Sequence, residues 1–158
     1  MKCNPMDTTN PLLQPWTTPY ALPPFAAVRP EHFSPALREA MQQHRGELDA
    51  IAALAEPASF DNTVARLDAA GRLLSRLEGV FHNLCASETS PALQQVQREM
   101  AEPMAAHSNA VYMHAGLFAR IDALHAQRAG LGLTAEQLRL LEQTHLDFVR
   151  ARRSISAA

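Results

Sequence analysis

The chain is expected to fold as an all-α protein, an antiparallel array of about five helices preceded by a Pro-rich extended N-terminal arm. Three observations carry that expectation. Apolar residues recur at spacings of three and four through most of the chain. No segment sustains the alternation of a half-buried strand. And seven of the eleven prolines, Pro5, Pro11, Pro15, Pro19, Pro23, Pro24 and Pro30, lie at or before residue 30. Each of these removes a backbone donor and pushes its predecessor toward extended geometry, which excludes a helix or a central strand there.

The elements follow in order. Residues 1–30 form the arm. It still carries Leu12, Leu13, Trp16, Tyr20, Leu22, Phe25 and Val28, an apolar content that suits a segment laid over a helical surface, with Trp16, Tyr20 and Phe25 as plugs. The first helix starts near Pro30 or Ser34-Pro35 and ends near Ala55, before Pro57, with Leu37, Met41, His44, Leu48, Ile51 and Ala55 on one face. A second opens after Asp61-Asn62, either of which can cap it, and runs to about Ala86. Val64, Leu67, Gly71, Leu74, Leu77, Phe81 and Leu84 form its stripe, widened by Leu73 and Val80.

Ser90-Pro91 starts the third helix, Ser as cap and Pro where its missing N–H costs nothing. Leu93, Val96, Met100, Met104, His107, Val111 and His114 share a face, and Pro103 is expected to kink it. A fourth covers about Leu117 to Arg128 and ends at Gly130 and Gly132. Thr134 and Gln137 make a capping box for the fifth, with Leu138, Leu141, His145 and Phe148 inward. The helical domain is placed at residues 31–151, followed by a divergent tail at 152–158.

Composition narrows function. At 158 residues, 47% apolar and 19% charged, the chain suits a globular protein and not a disordered one. A net charge of −2, with Lys2 the sole lysine and the arginines scattered, leaves no footprint for nucleic acid or an anionic membrane. Cys3 and Cys85 are too few for a disulfide framework and are expected to be reduced thiols. The first residues lack the apolar stretch of a secretory signal, and no run reaches the 18 or so apolar residues of a membrane span. The expected location is the cytoplasm.

Candidate chemistry is sparse. Helical zinc sites want two histidines four apart with a glutamate between them. No two among His32, His44, His82, His107, His114, His125 and His145 are three or four apart. His107 and His114 share a face, but with about 10 Å of rise between them. Glu78, His82 and Cys85 lie on one helical face and with a fourth ligand have the donors for zinc. The simpler reading, with Cys85 facing the core, His82 half-buried and Glu78 solvated, is preferred. No Gly-x-Ser-x-Gly and no Gly-rich phosphate cradle occurs. No catalytic, cofactor-binding or metal-binding residue is therefore assigned.

The string Asn10-Pro-Leu-Leu, Leu22-Pro-Pro-Phe25 and Arg29-Pro-Glu-His-Phe33 followed by Pro35-Ala-Leu37 resembles the opening of the oligopeptidase A-like (thimet-type) zinc oligopeptidases. Asp61-Asn62-Thr63, Ser90-Pro91 with Leu93, Pro103, Leu117-Phe118, Leu131 with Leu133 through Gln137, and Asp147-Phe148 continue the resemblance in order, over about Asn10 to Ala151. It implies a helical N-terminal domain that helps wall a deep channel for short peptides. It implies too that the zinc ligands and catalytic glutamate belong to a separate catalytic domain. No His-Glu-x-x-His occurs in this sequence, so none of those residues maps here, and the chain is expected not to be an enzyme on its own. The departure from the family pattern after Arg150 suggests a truncated or separately encoded fragment. The expected partners are a complementary peptidase catalytic domain or a second copy of the chain, with no nucleic acid and no membrane. A stand-alone helical interaction module is the alternative.

Overall fold

The computed structural model describes residues 10–156, so Cys3 and the first part of the arm lie outside the described residues, as do the last two residues of the tail. The described residues are all-α, with five long helices: α1 (Phe33–Ala52), α3 (Arg72–Ser87), α4 (Pro91–Met113), α5 (Ala115–Gln127) and α6 (Ala135–Ser156). The short α2 (Arg66–Ala69) follows a π-turn at Phe60–Ala65. Two compact units divide the described residues, one within residues 10–42 and 72–103, the other within residues 43–71 and 104–156.

The first unit buries Leu12, Phe33, Leu37, Met41, Leu77, Val80, Phe81, Leu93, Val96 and Met100, with the Phe33 and Phe81 rings tilted against each other at 5.1 Å between centroids. Leu77 and Val80, from the stripe read for the second helix, are thus buried. The second unit has two cores. One gathers Leu48, Ile51, Leu117, Ile121 and Phe148, and the other Val64, Leu124 and Leu141.

Two helix starts follow their sequence signals. Ser90 Oγ accepts from the Leu93 N–H at 3.2 Å, and Thr134 and Gln137 exchange the paired bonds of a capping box at 3.0 and 3.2 Å. The helix runs on through Pro103, and α6 continues to Ser156, so the described part of the tail is helical.

Two expectations need correction. The second helix is not continuous from residue 61 to 86. Gly71 sits at φ +69°, in the left-handed region that ends helices, and separates α2 from α3. Its N–H has no helical carbonyl partner and donates to the Glu47 side chain of α1, at Oε2, at 2.7 Å. The cap is also neither Asp61 nor Asn62. Ser59 caps, its Oγ accepting from the Asn62 N–H at 3.1 Å while Asn62 Oδ1 accepts from the Ser59 N–H at 2.8 Å. Asn62 therefore stands at the third position of a capping box and not at its head.

A guanidinium organises the segment between α1 and α2. Arg120 on α5 donates from Nε to Thr63 Oγ1 at 3.1 Å and through its terminal nitrogens to Asn62 Oδ1 at 2.9 Å and the Leu54 and Glu56 carbonyls at 3.0 and 3.1 Å. The Thr63 hydroxyl, fully buried, donates in turn to Asn62 Oδ1 at 2.8 Å. Backbone groups of a non-helical segment need partners, and here one side chain supplies several.

Candidate functional site

Residues 10–32 form a loop whose two ends are tied together. Asn10, only 3% exposed, donates from Nδ2 to the His32 carbonyl at 2.9 Å, and its Oδ1 accepts from the Leu12 N–H at 3.0 Å. His32 is itself fixed, Nδ1 accepting from the Arg29 N–H at 3.0 Å. Inside the neck Leu12 is fully buried, and the Arg76 guanidinium lies 4.3 Å from the centre of the half-buried Trp16 ring, a cation–π contact.

Beyond Trp16 the loop turns outward. Pro19–Ala21 makes a 3-10 turn closed by the Leu22 N–H on the Pro19 carbonyl, and the Thr18 hydroxyl donates to the Leu22 carbonyl. The Pro24 carbonyl then accepts from Ala27 and Val28 at 2.8 and 3.2 Å. Tyr20 is held at φ +60°, a left-handed geometry unusual for a residue with a Cβ. Its side chain is 95% exposed, with Leu22 at 53% and Phe25 at 50%. This corrects the plug expectation: Leu12 and, in part, Trp16 pack inward, whereas Tyr20 and Phe25 face solvent because the proline-set turns carry them away from the neck. An open groove of about 530 Å³ lies at the loop's base, lined by Phe25, Val28, Phe33, Leu84 and Leu93 with Arg29 and Glu88 at its polar margin.

The histidines of the second unit pair in ways their spacing hides. His44 Nδ1 and His107 Nε2 are 3.0 Å apart, sharing one proton, although the residues are 63 positions apart. Burial holds both below the ordinary imidazole range; the charges of His44 and Arg45 lower His107 further, while Glu47 partly opposes the shift of His44. Glu47 in turn is held low by the Gly71 N–H. His125 and His145 stack with centroids 3.9 Å apart, and His145 Nε2 meets Asp122 Oδ1 at 2.9 Å. Burial first, then the neighbouring His145 and Arg128, depress His125.

His114 does not join His107 on a shared face. It caps α5, Nδ1 accepting from the Leu117 N–H at 3.3 Å, which leaves Nε2–H to donate to Asp49 Oδ1 at 3.0 Å. Such a ring is committed at both nitrogens.

Among the described residues no group of three or more His, Cys, Asp and Glu is placed to hold a metal ion. Glu78, His82 and Cys85 do not converge; His82 is exposed, and burial raises the half-buried Cys85 thiol, so it is a poor thiolate donor. The donor set does not fit zinc. No helix among the described residues is long and apolar enough to cross a membrane.

No family profile matches the chain. It is 38% identical over 153 residues to a dipeptidyl carboxypeptidase of Escherichia coli (strain K12) and 40% identical over 144 residues to one of Salmonella typhimurium (strain LT2). These alignments cover 97% and 91% of this chain but 22% and 21% of the relatives. Oligopeptidase A of Salmonella typhimurium is 32% identical over 110 residues, 70% of this chain and 16% of that protein. The chain thus spans about a fifth of the length of the curated relatives it matches.

Proposed function

This chain is homologous to the oligopeptidase A-like, thimet-type peptidases, and on that premise we propose that it acts as a non-catalytic helical domain of such an enzyme, walling the channel through which short peptides reach a zinc centre carried elsewhere. The observation that carries the reading is the alignment: 97% of this chain corresponds to only 22% of a dipeptidyl carboxypeptidase. The chemistry agrees with it. The sequence has no His-Glu-x-x-His, and a metal-activated water needs both metal ligands and a general base beside them. Histidines that would attract attention in a peptidase are occupied in tertiary contacts: His114 as a cap, His44 with His107, His145 with Asp122.

Two measurements test this. The chain purified alone and supplied with zinc is expected to release nothing from short peptides. Put in place of the aligned region of the Escherichia coli dipeptidyl carboxypeptidase, it is expected to give a folded chimera that releases dipeptides from peptide carboxyl ends. Chelator-sensitive turnover that follows the pure chain, or a chimera that folds but is inert, would overturn the reading. The exposed Tyr20, Leu22 and Phe25 also favour a second reading, a stand-alone helical module that binds a protein partner. An inert chimera together with a stable complex between the isolated chain and another protein would point to that instead.

A further inference from the structure

The loop of residues 10–32 combines features that rarely occur together on a surface facing water. From Asn10 to Val28 the sequence has no charged residue, yet Tyr20, Leu22 and Phe25 stand 95%, 53% and 50% exposed. Interface cores are depleted in charge and enriched in aromatic side chains, and clustered exposed apolar groups mark contact surfaces. The tip is also held in shape. Pro19, Pro23 and Pro24 fix backbone angles, the Leu22 N–H closes on Pro19, Ala27 and Val28 close on Pro24, and the Asn10–His32 bond shuts the neck. Holding Tyr20 at φ +60° is a strained arrangement, and strain of this sort gathers at contact sites. Pre-ordering of this kind lowers the entropy lost on binding.

We propose that the Tyr20–Phe25 tip of this loop is a docking element that seats on the catalytic region of the same peptidase, with Tyr20 as its central anchor. The proposal rests on the domain reading above and adds the surface by which the domain is held. The relatives continue over almost four-fifths of their length beyond what matches this chain, so a protein surface of that size is the occupant the chain calls for. The absence of any Lys or Arg from Asn10 to Val28 removes the contacts that phosphates of nucleic acid or anionic lipid would require. Aromatic anchors set in a charge-free surround carry most of the energy at protein interfaces.

Hydrogen exchange in the chimera with the Escherichia coli dipeptidyl carboxypeptidase tests this against the isolated full chain. The amides of Tyr20, Ala21, Leu22, Phe25, Ala26 and Ala27 are expected to exchange about tenfold or more slowly in the chimera. Tyr20→Gly removes the ring while keeping the backbone angle that glycine prefers. Combined with Phe25→Ser it is expected to return those amides to the rates of the isolated chain, leaving the isolated chain's melting temperature unchanged. An active chimera with an unprotected loop sinks the docking proposal and spares the domain reading. A chimera that does not fold sinks both. Loop protection appearing in the isolated chain as concentration rises, or on adding phosphatidylcholine vesicles, would assign the tip to a second copy or to a lipid surface and overturn the proposal.

Discussion

Replacing Arg120 by methionine keeps most of the aliphatic stem of the side chain and removes its head. The wild-type guanidinium makes four bonds, at 2.9 to 3.1 Å, to Asn62, Thr63, Leu54 and Glu56. They are not equal. Glu56 is exposed and Leu54 half-buried, so water replaces the guanidinium at their carbonyls at little cost. Thr63 is fully buried; its hydroxyl still donates to Asn62 but loses the donor it accepts from. Asn62 Oδ1 keeps the Ser59 N–H and the Thr63 hydroxyl. Charge-assisted bonds are worth about 1.5–3 kcal/mol each; two of the four are replaced by water and a third acceptor, Asn62 Oδ1, keeps two donors, so the expected loss is one full bond and part of a second, about 2–4 kcal/mol. For a chain of this size that lowers the melting temperature by about 4–16 °C. Urea unfolding followed by circular dichroism measures the loss, and hydrogen exchange should show faster opening across residues 54–63. Arg120→Lys should recover little, since a point charge cannot serve four acceptors in a plane. A change below about 0.5 kcal/mol, within the range of ordinary surface substitutions, would refute the idea that this one side chain holds the segment.

Gly71→Ala should destabilise by about 2–3 kcal/mol, because alanine resists φ +69° and its Cβ would lie 3.0 Å from the His44 ring; Gly79→Ala, with open space around it and an exposed helical position, should stabilise by up to about 1 kcal/mol, and equal urea midpoints for the two variants would contradict this. Stability should be full above the unfolded histidine value of about 6.5 and fall as pH drops below it, since His44, His107 and His125 bind protons less readily folded than unfolded. The slope cannot exceed about 1.4 kcal/mol per pH unit for each proton. His107→Gln should flatten it, and a melting temperature flat from pH 7.5 to 5.5 would show that burial does not hold these rings neutral.

The parts of this fold that were legible in the sequence are those set by local chemistry. Ser90-Pro91 and the Thr134–Gln137 box act within one helical turn, and the structure uses both. Period alone placed Leu37, Met41, Leu48 and Ile51 on the buried side of α1, and Leu141 and Phe148 on that of α6. The break at Gly71 was hidden because the apolar stripe keeps its register across it, and one glycine does not by itself end a helix. What decides the matter is Glu47, 24 positions earlier, waiting for the Gly71 N–H. The His44–His107 pair and the Arg120 cluster are likewise made by partners about sixty positions apart, which no spacing rule reaches. Tyr20 and Phe25 misled for a different reason. Aromatic residues usually mark burial, and nothing local in the sequence shows that these two stand exposed.

The Asn10–His32 bond makes the segment between its ends a cassette. With both ends pinned, a change in what lies between need not move α1, whose first residue follows His32 directly. Lengthening such a closed segment costs little, about 0.6 kcal/mol for each doubling, so insertions and wholesale replacement of the tip are cheap as long as Asn10 and Leu12 remain. A scaffold built this way lets the presented side chains diversify quickly while the helices beneath keep their sequence, and makes the tip a natural place to graft a binding motif.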